Sequence, residues 1–379
     1  MKRVLSLLFC LLFVCSLSTA AFAADANLPA ADEALRFNED GTFRIIQFTD
    51  THTTDQPYAE MQNLIKTAVE TYDPDLVVFT GDNIKGYWNF STPSSVARAI
   101  DAIISPLGGK VPFACVFGNH DWQALCLKSW QVSIYQMYPN NLTKQGFTYH
   151  HRRANYNYII KDAAGEKALF NLWFMDSGSR DAQDVQNCVK KQQIEWYEKT
   201  SAEIKKNNGG KVVPSIVFQH VPVQEITKLY KAVPKDTEGA IKMNDGNYYV
   251  VGDNTKGELH GSNGFSPKNE GQYDSWVKTG DVVGAFFGHD HTNDVYGATE
   301  DGIILGSTKT AGFQSRGDGH QGFRVIDLDA ETPETFETYS VYYCDLIDEN
   351  IPEQKRDYDN ARGFREWILG LFRFPGLAA

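Results

Sequence analysis

The sequence predicts an α/β sandwich, and three observations carry that expectation. Six continuous runs rich in β-branched and aromatic residues stop abruptly at polar clusters: FRIIQFTDTH, DLVVFTGDN, PFACVFGNHD, LFNLWFMDSG, SIVFQHVP and VVGAFFGHDH. Unbroken apolar strands are buried on both faces, as in sheets covered by helices. Between the first two runs, AEMQNLIKTAVETY places apolar residues at helical spacing and ends at Asp73-Pro74, a helix stop. Strand, helix and strand in that order predict parallel pairing. After Asp290 the texture shortens to DVYGAT, GIILGST, FRVIDLD and FETYSVYY, the pattern of neighbouring strands joined by tight turns. A long polar insertion is expected between about 223 and 275.

The 379 residues are 42% hydrophobic, 13% aromatic and 22% charged, ordinary for a globular chain of one large domain or two smaller ones. The net charge of -12, with no cluster of lysine or arginine, repels polyphosphate backbones and argues against tight binding to long nucleic acid. At the N-terminus, Lys2 and Arg3 precede VLSLLFCLLFVCSL and then the small-residue exit AFA. That pattern predicts a signal peptide over residues 1–23, cleaved after Ala23, and a secreted or periplasmic protein. The apolar run is shorter than the ~20 residues a membrane span needs, so no integral span is expected. Residues 24–345 form the expected catalytic domain. The tail 346–379, with RGFREWILGLFRFPG, is amphipathic if helical and is expected to dock on that domain rather than on a membrane. Cleavage leaves Cys115, Cys126, Cys188 and Cys344; an exported protein can oxidise them, in three alternative pairings. No Cys-x-x-Cys spacing occurs, which excludes a thiolate zinc site.

The polar clusters are where chemistry is expected. In chain order they are Asp50-Thr51-His52, Gly81-Asp82-Asn83, Gly118-Asn119-His120-Asp121, His220, and Gly288-His289-Asp290-His291. Ligands of open α/β sheets bind beyond the carboxyl ends of the strands, and each cluster sits at such an end. Carboxylate oxygen, amide oxygen and imidazole nitrogen together suit zinc, manganese or iron. Seven candidates (Asp50, His52, Asp82, Asn119, His220, His289 and His291) exceed what one ion takes. Two ions sharing one carboxylate, roughly 3.5–4 Å apart, is the natural count.

The five blocks Asp-x-His, Gly-Asp, Gly-Asn-His-Asp, a lone His and Gly-His-x-His, in order over residues 50 to 291, resemble the signature of the calcineurin-like metallophosphoesterases. PDLVVFTGD and GHDHTND further resemble a branch grouped with purple-acid-phosphatase-like proteins. The resemblance implies a sandwich of two mixed β-sheets flanked by helices. It implies one metal on Asp50, His52 and His291, a second on Asn119, His220 and His289, and Asp82 bridging both. His120 is then the proton donor to the leaving oxygen, or stabilises charge on the phosphoryl group, and Asp121 orients its ring. The implied activity is hydrolysis of a small phosphorylated substrate, by in-line attack of a metal-bridging hydroxide. Monoesters, diesters and nucleotides all remain open, as does a non-catalytic metal-binding relative. True purple acid phosphatases carry glycine where His52 stands and a metal-bound tyrosine where Lys85 stands, so no purple band is expected.

Four weaker features complete the reading. Arg316 and His320, with Asp318, lie in the glycine-rich FQSRGDGHQGF and are candidates for binding the substrate phosphate, for which arginine is suited. Asp290 is expected to support the site rather than ligate. His150-His151-Arg152-Arg153 reads as a solvated hairpin face, and Asp176-Ser177-Gly178 as a turn at a strand end.

Overall fold

The computed structural model describes residues 35–86, 92–124, 126–180, 185–243, 245–261 and 263–347. The expected signal peptide, and the tail beyond residue 347, lie outside the described residues. Among those residues no helix is long and apolar enough to cross a membrane.

Along the chain, β1 (Thr42–Phe48) leads through α1 (Ala59–Tyr72) to β2 (Leu76–Thr80), and α2 (Pro93–Ile104) leads to β3 (Phe113–Val116). The helix α1 stops where Asp73 turns left-handed (φ 44) and its N–H reaches the Val69 carbonyl, with Pro74 preventing continuation. The next helix starts on the Thr92 hydroxyl, which accepts the Ser95 N–H, and Pro93 needs no such partner. Then come α3 (Lys128–Tyr135), β4 (Phe147–Tyr149), β5 (Arg152–Lys161), β6 (Ala168–Met175), α4 (Lys191–Asn207) and β7 (Ser215–Gln219). Five short elements follow: β8 (Tyr230–Ala232), β9 (Ile241–Lys242), β10 (Tyr248–Val251), β11 (Thr255–Lys256) and α5 (Gln272–Thr279). The chain closes with β12 (Val282–Phe287), β13 (Tyr296–Ala298), β14 (Ile304–Ser307), β15 (Gly322–Asp329) and β16 (Phe336–Tyr342).

These strands build two large mixed sheets flanked by helices. One has the order β16-β15-β1-β2-β3 and the other β11-β13-β14-β12-β7-β6-β5-β4. The parallel pairs β1–β2 and β2–β3 make up one side of the first, with β3 as its edge; β6–β7, β7–β12 and β12–β14 lie at the centre of the second. Antiparallel strands form the other three edges. Side chains of the second sheet alternate between two cores, as a period of two requires. Phe170, Leu172, Phe174, Ile216, Phe218 and Phe286 face the core between the sheets. Trp173, Met175, Val217, Ala285 and Phe287 face the core under α4 and α5. Each large side chain so buried contributes about 1.5–3 kcal/mol, which fixes the strands and therefore the loops at their ends.

The segment 223–275 is more than a polar excursion. Its strands β8, β10 and β9 form a three-stranded sheet, and β11 extends the large sheet beside β13. Ile226, Leu229, Tyr230, Met243 and Phe265 bury themselves in the outer core; these apolar residues are too widely spaced to form a run. Cys115, Cys126, Cys188 and Cys344 are free thiols.

Candidate metal centre

The loops leaving β1, β2, β3, β7 and β12 converge at the carboxyl ends of both sheets. Main-chain bonds between loops continue the strand pairing: Asp50 N–H to Gly81 O (3.0 Å), His52 N–H to Asp82 O (2.9 Å) and Gly288 N–H to His220 O (3.1 Å). Two sets of donor atoms result. Those of Asp50, His52 and His291 lie within 4.8 Å of one another, and so do those of Asp82, His220 and His289. Asn119 joins the second set, its Oδ1 3.2 Å from His220 Nε2. Asp82 Oδ2 stands between the sets, 3.2 Å from His220 Nε2 and 3.6 Å from His52 Nε2.

One oxygen of each carboxylate is held by protein donors and the other is left for the centre. Asp50 Oδ2 accepts the Thr49 hydroxyl (2.7 Å) and the His289 N–H (2.8 Å), while Asp50 Oδ1 is fully buried with no hydrogen-bond partner. Asp82 Oδ1 accepts the His120 N–H at 2.6 Å. The imidazoles are aimed the same way. His220 Nδ1 sits 2.9 Å from Thr80 O, and His291 Nδ1 sits 2.6 Å from Arg316 O; each carbonyl takes a ring proton and turns Nε2 inward. His52 and His291 then face each other, Nε2 to Nε2, at 3.2 Å. Buried lone pairs converging on each other and on an orphaned carboxylate oxygen are costly without a cation. The donor chemistry fits two transition-metal ions.

A sequence model of the family described as Calcineurin-like phosphoesterase matches residues 43–293. The chain belongs to that family. Among its relatives, "Probable inactive purple acid phosphatase 14" of Arabidopsis thaliana is 27% identical over 343 residues, covering 79% of this chain and 78% of its own. "Probable inactive purple acid phosphatase 29" of the same plant is 26% identical over 297 residues, covering 69% and 70%. Among solved structures, "GAP50 the anchor in the inner membrane complex of Plasmodium" aligns with a TM-score of 0.45 at 13% identity, over 86% of this chain and 94% of its own.

Electrostatics in this phosphoesterase site divide the histidines. Burial alone would lower His220, but the Asp82 and Asp50 carboxylates overcome it and push the ring up to about 10. His291 also rises, since Asp50 outweighs its burial. Burial brings His52 down to about 4, and burial with the neighbouring His220 brings His289 down to about 3. Both carboxylates fall below the usual range because the histidines outweigh their burial.

The structure departs from the expected role of Asp121. Its carboxylate accepts three backbone N–H groups, from Gly118 (2.6 Å), Asp82 (3.0 Å) and Ile84 (3.1 Å). It therefore clamps the β2 and β3 loops together and leaves the His120 ring to another partner. The reason is local: the chain enters a 3-10 turn over Asp121–Gln123 directly after His120. Residue 121 points back into the protein, and Gln123 comes round to the ring, with His120 Nδ1 2.8 Å from Gln123 Oε1.

Of the remaining candidates, Asp290 supports the site. Its Oδ1 accepts the Gly264 N–H at 2.7 Å, and burial raises its pKa to about 7. Arg316 contributes its carbonyl to His291 and leaves its side chain exposed at the rim. His320 lies beside it, packed edge-on against Tyr342. His150 and His151 are exposed in the β4–β5 hairpin. Asp176 is a buried anchor, 2.8 and 3.0 Å from Lys128 Nζ. The Ser177 hydroxyl accepts the Val221 N–H and steadies the His220 loop.

Proposed function

We propose that this protein is an exported phosphoester hydrolase with a dinuclear metal centre. The observation that carries the reading is Asp82 Oδ2 standing between two donor sets that lack no member. Asp50, His52 and His291 would hold one ion and Asn119, His220 and His289 the other, with Asp82 shared. Bound iron, zinc or manganese supplies an acidified water and charge compensation for the phosphoryl oxygens. The chain's own part is to hold the substrate and move a proton. His120 Nε2 lies 3.9 Å from Asp82 Oδ2, on the same opening, where it can protonate a departing alkoxide. Arg316, whose carbonyl holds His291, and His320 are the residues we assign to meeting a phosphate from the rim. Export rests on the N-terminal pattern, and N-terminal sequencing of the exported protein should begin at Ala24.

A second reading, a metal-binding relative without turnover, draws on the word "inactive" in the names of the plant relatives. The full donor set and His120 favour activity. Protein reconstituted with iron, zinc or manganese should hydrolyse members of a panel of phosphomonoesters, diesters and nucleotides. Two bound metals without turnover of any panel member would favour the second reading.

A further inference from the structure

We propose that Gln123 is the positioning residue for His120, and that this pair equips the site for esters with poor, alkoxide leaving groups. The proposal rests on the role given to His120 above. In a 3-10 turn, side chains three apart eclipse one another. His120 and Gln123 flank such a turn, closed by the Gln123 N–H to His120 O bond of 2.9 Å. The side chains meet on one side of it, with Nδ1 2.8 Å from Oε1. The amide oxygen accepts the Nδ1 proton, which fixes both the ring plane and the tautomer and leaves Nε2 as the atom facing Asp82 Oδ2 at 3.9 Å.

The pair is enclosed by construction. Gly86 has φ +43, and a Cβ there would stand 2.5 Å from His120 O, 2.7 Å from Gln123 Oε1 and 3.0 Å from His120 Cβ. The glycine thus lets the chain press against both partners. From below, the Asp121 carbonyl accepts Gln131 Nε2 at 2.7 Å, which locks the turn. The carboxylate next in sequence is spent on three backbone donors, so the ring's orientation falls to an uncharged amide.

Orientation matters most when the leaving group needs a proton. An alkoxide does; a nitrophenolate departs without one. Gln123→Leu removes the acceptor while keeping the bulk, and Gln123→Glu keeps both acceptor and length. In the metal-loaded protein, Gln123→Leu should retain two metals and lower kcat on an alkyl phosphate roughly 10–100-fold, the usual loss from an orienting partner. KM should be little changed, and turnover of p-nitrophenyl phosphate nearly so. Gln123→Glu should restore the alkyl-ester rate. Equal losses on both esters, or metal loss in Gln123→Leu, would mean a purely structural role and overturn the proposal, as would a Glu variant as slow as the Leu variant. His120→Ala separates the two readings. Slow alkyl-ester turnover in His120→Ala with a normal rate in Gln123→Leu refutes the positioning role alone. An unaffected rate in His120→Ala removes the proton-donor reading on which it stands.

Discussion

The site depends on how closely the ends of β12 and β1 approach, and Gly288→Ala tests that dependence. A Cβ at Gly288 would stand 1.9 Å from Thr49 Oγ1 and 2.7 Å from Asp50 Oδ2. Ordinary contact begins near 3.4 Å, so the Thr49 hydroxyl must retreat by 3.4 − 1.9 = 1.5 Å. It has nowhere free to go, because it donates to Asp50 Oδ2. Gly288 cannot yield either: its N–H is tied to His220 O, and the neighbouring His289 N–H to Asp50 Oδ2. The displacement therefore reaches Asp50 and both metal sets. Overpacking of this kind costs about 1–3 kcal/mol of stability, and misplacing a reacting group by about 1 Å costs ~10²-fold in rate. Gly284→Ala is the control on the same strand. Its Cβ would press on the ring tip of Phe336 at 2.7 Å, a half-buried edge residue that can swing away. Metal content after reconstitution, turnover and thermal unfolding should separate the two. Gly288→Ala loses metal and activity, whereas Gly284→Ala loses a little stability only. Full metal and full rate in Gly288→Ala would show that this contact does not place Asp50.

Three further outcomes follow from the same geometry. Asp82→Asn should drop bound metal below two per chain by elemental analysis, since one oxygen serves both sets; unchanged stoichiometry would sink the bridging role. The iron-loaded protein should lack a strong visible tyrosinate band, because the sequence resemblance puts Lys85 where the tyrosine ligand would stand; a purple band would refute that correspondence. Metal loading at neutral pH should release protons. His220, pushed up to about 10, carries a proton that a metal must displace, and His291 is shifted in the same direction, while His52 and His289 are brought down to about 4 and about 3. Affinity should therefore fall as pH falls through neutrality. Titration calorimetry in buffers of different ionisation enthalpy would detect the release, and heats independent of buffer would refute it.

Much of the fold could be read directly from the chain. Runs such as IVF and VVGAFF carry no polar residue because each face meets a core, and a helix between two such runs favours parallel pairing. The candidate ligand residues stood out because the apolar runs end on them. Three features did not. Asp121 and Gln123 exchange roles because a 3-10 turn begins at His120, and no residue type in NHDWQ announces that turn. The segment 223–275 hides its structure because its buried residues come in small, separated groups, Ile226 with Leu229 and Tyr230, then Met243, then Phe265. The Lys128–Asp176 pair is invisible in sequence, since the two residues are distant in the chain and become neighbours only when α3 packs against β5, the strand paired with β6.

The backbone explains why this constellation needs so much support. Asp50, His52, Asp82 and His289 all have positive φ, at 52, 41, 49 and 74, and so make up four of the seven non-glycine residues in that region among the described residues. Such conformations cost of order 1–3 kcal/mol each and persist only where the surroundings over-determine them. Here they follow from geometry. A strand that simply ran on would set residues 50 and 52 on the same face of the sheet but two residues' rise, about 6.6 Å, apart. A left-handed residue just past the strand turns the chain and brings the two donor atoms closer than that. In the first block Asp50 and His52 are both left-handed, so the carboxylate and the imidazole two residues later turn into the same centre. The strain is held by main-chain bonds between loops, Asp50 to Gly81 and His52 to Asp82, and by the Thr310 hydroxyl on Asp50 O at 2.7 Å. Those bonds exist because the parallel strands beneath them are fixed by two apolar cores. The sandwich thus supplies the rigidity that lets five separate strand ends point lone pairs at one another.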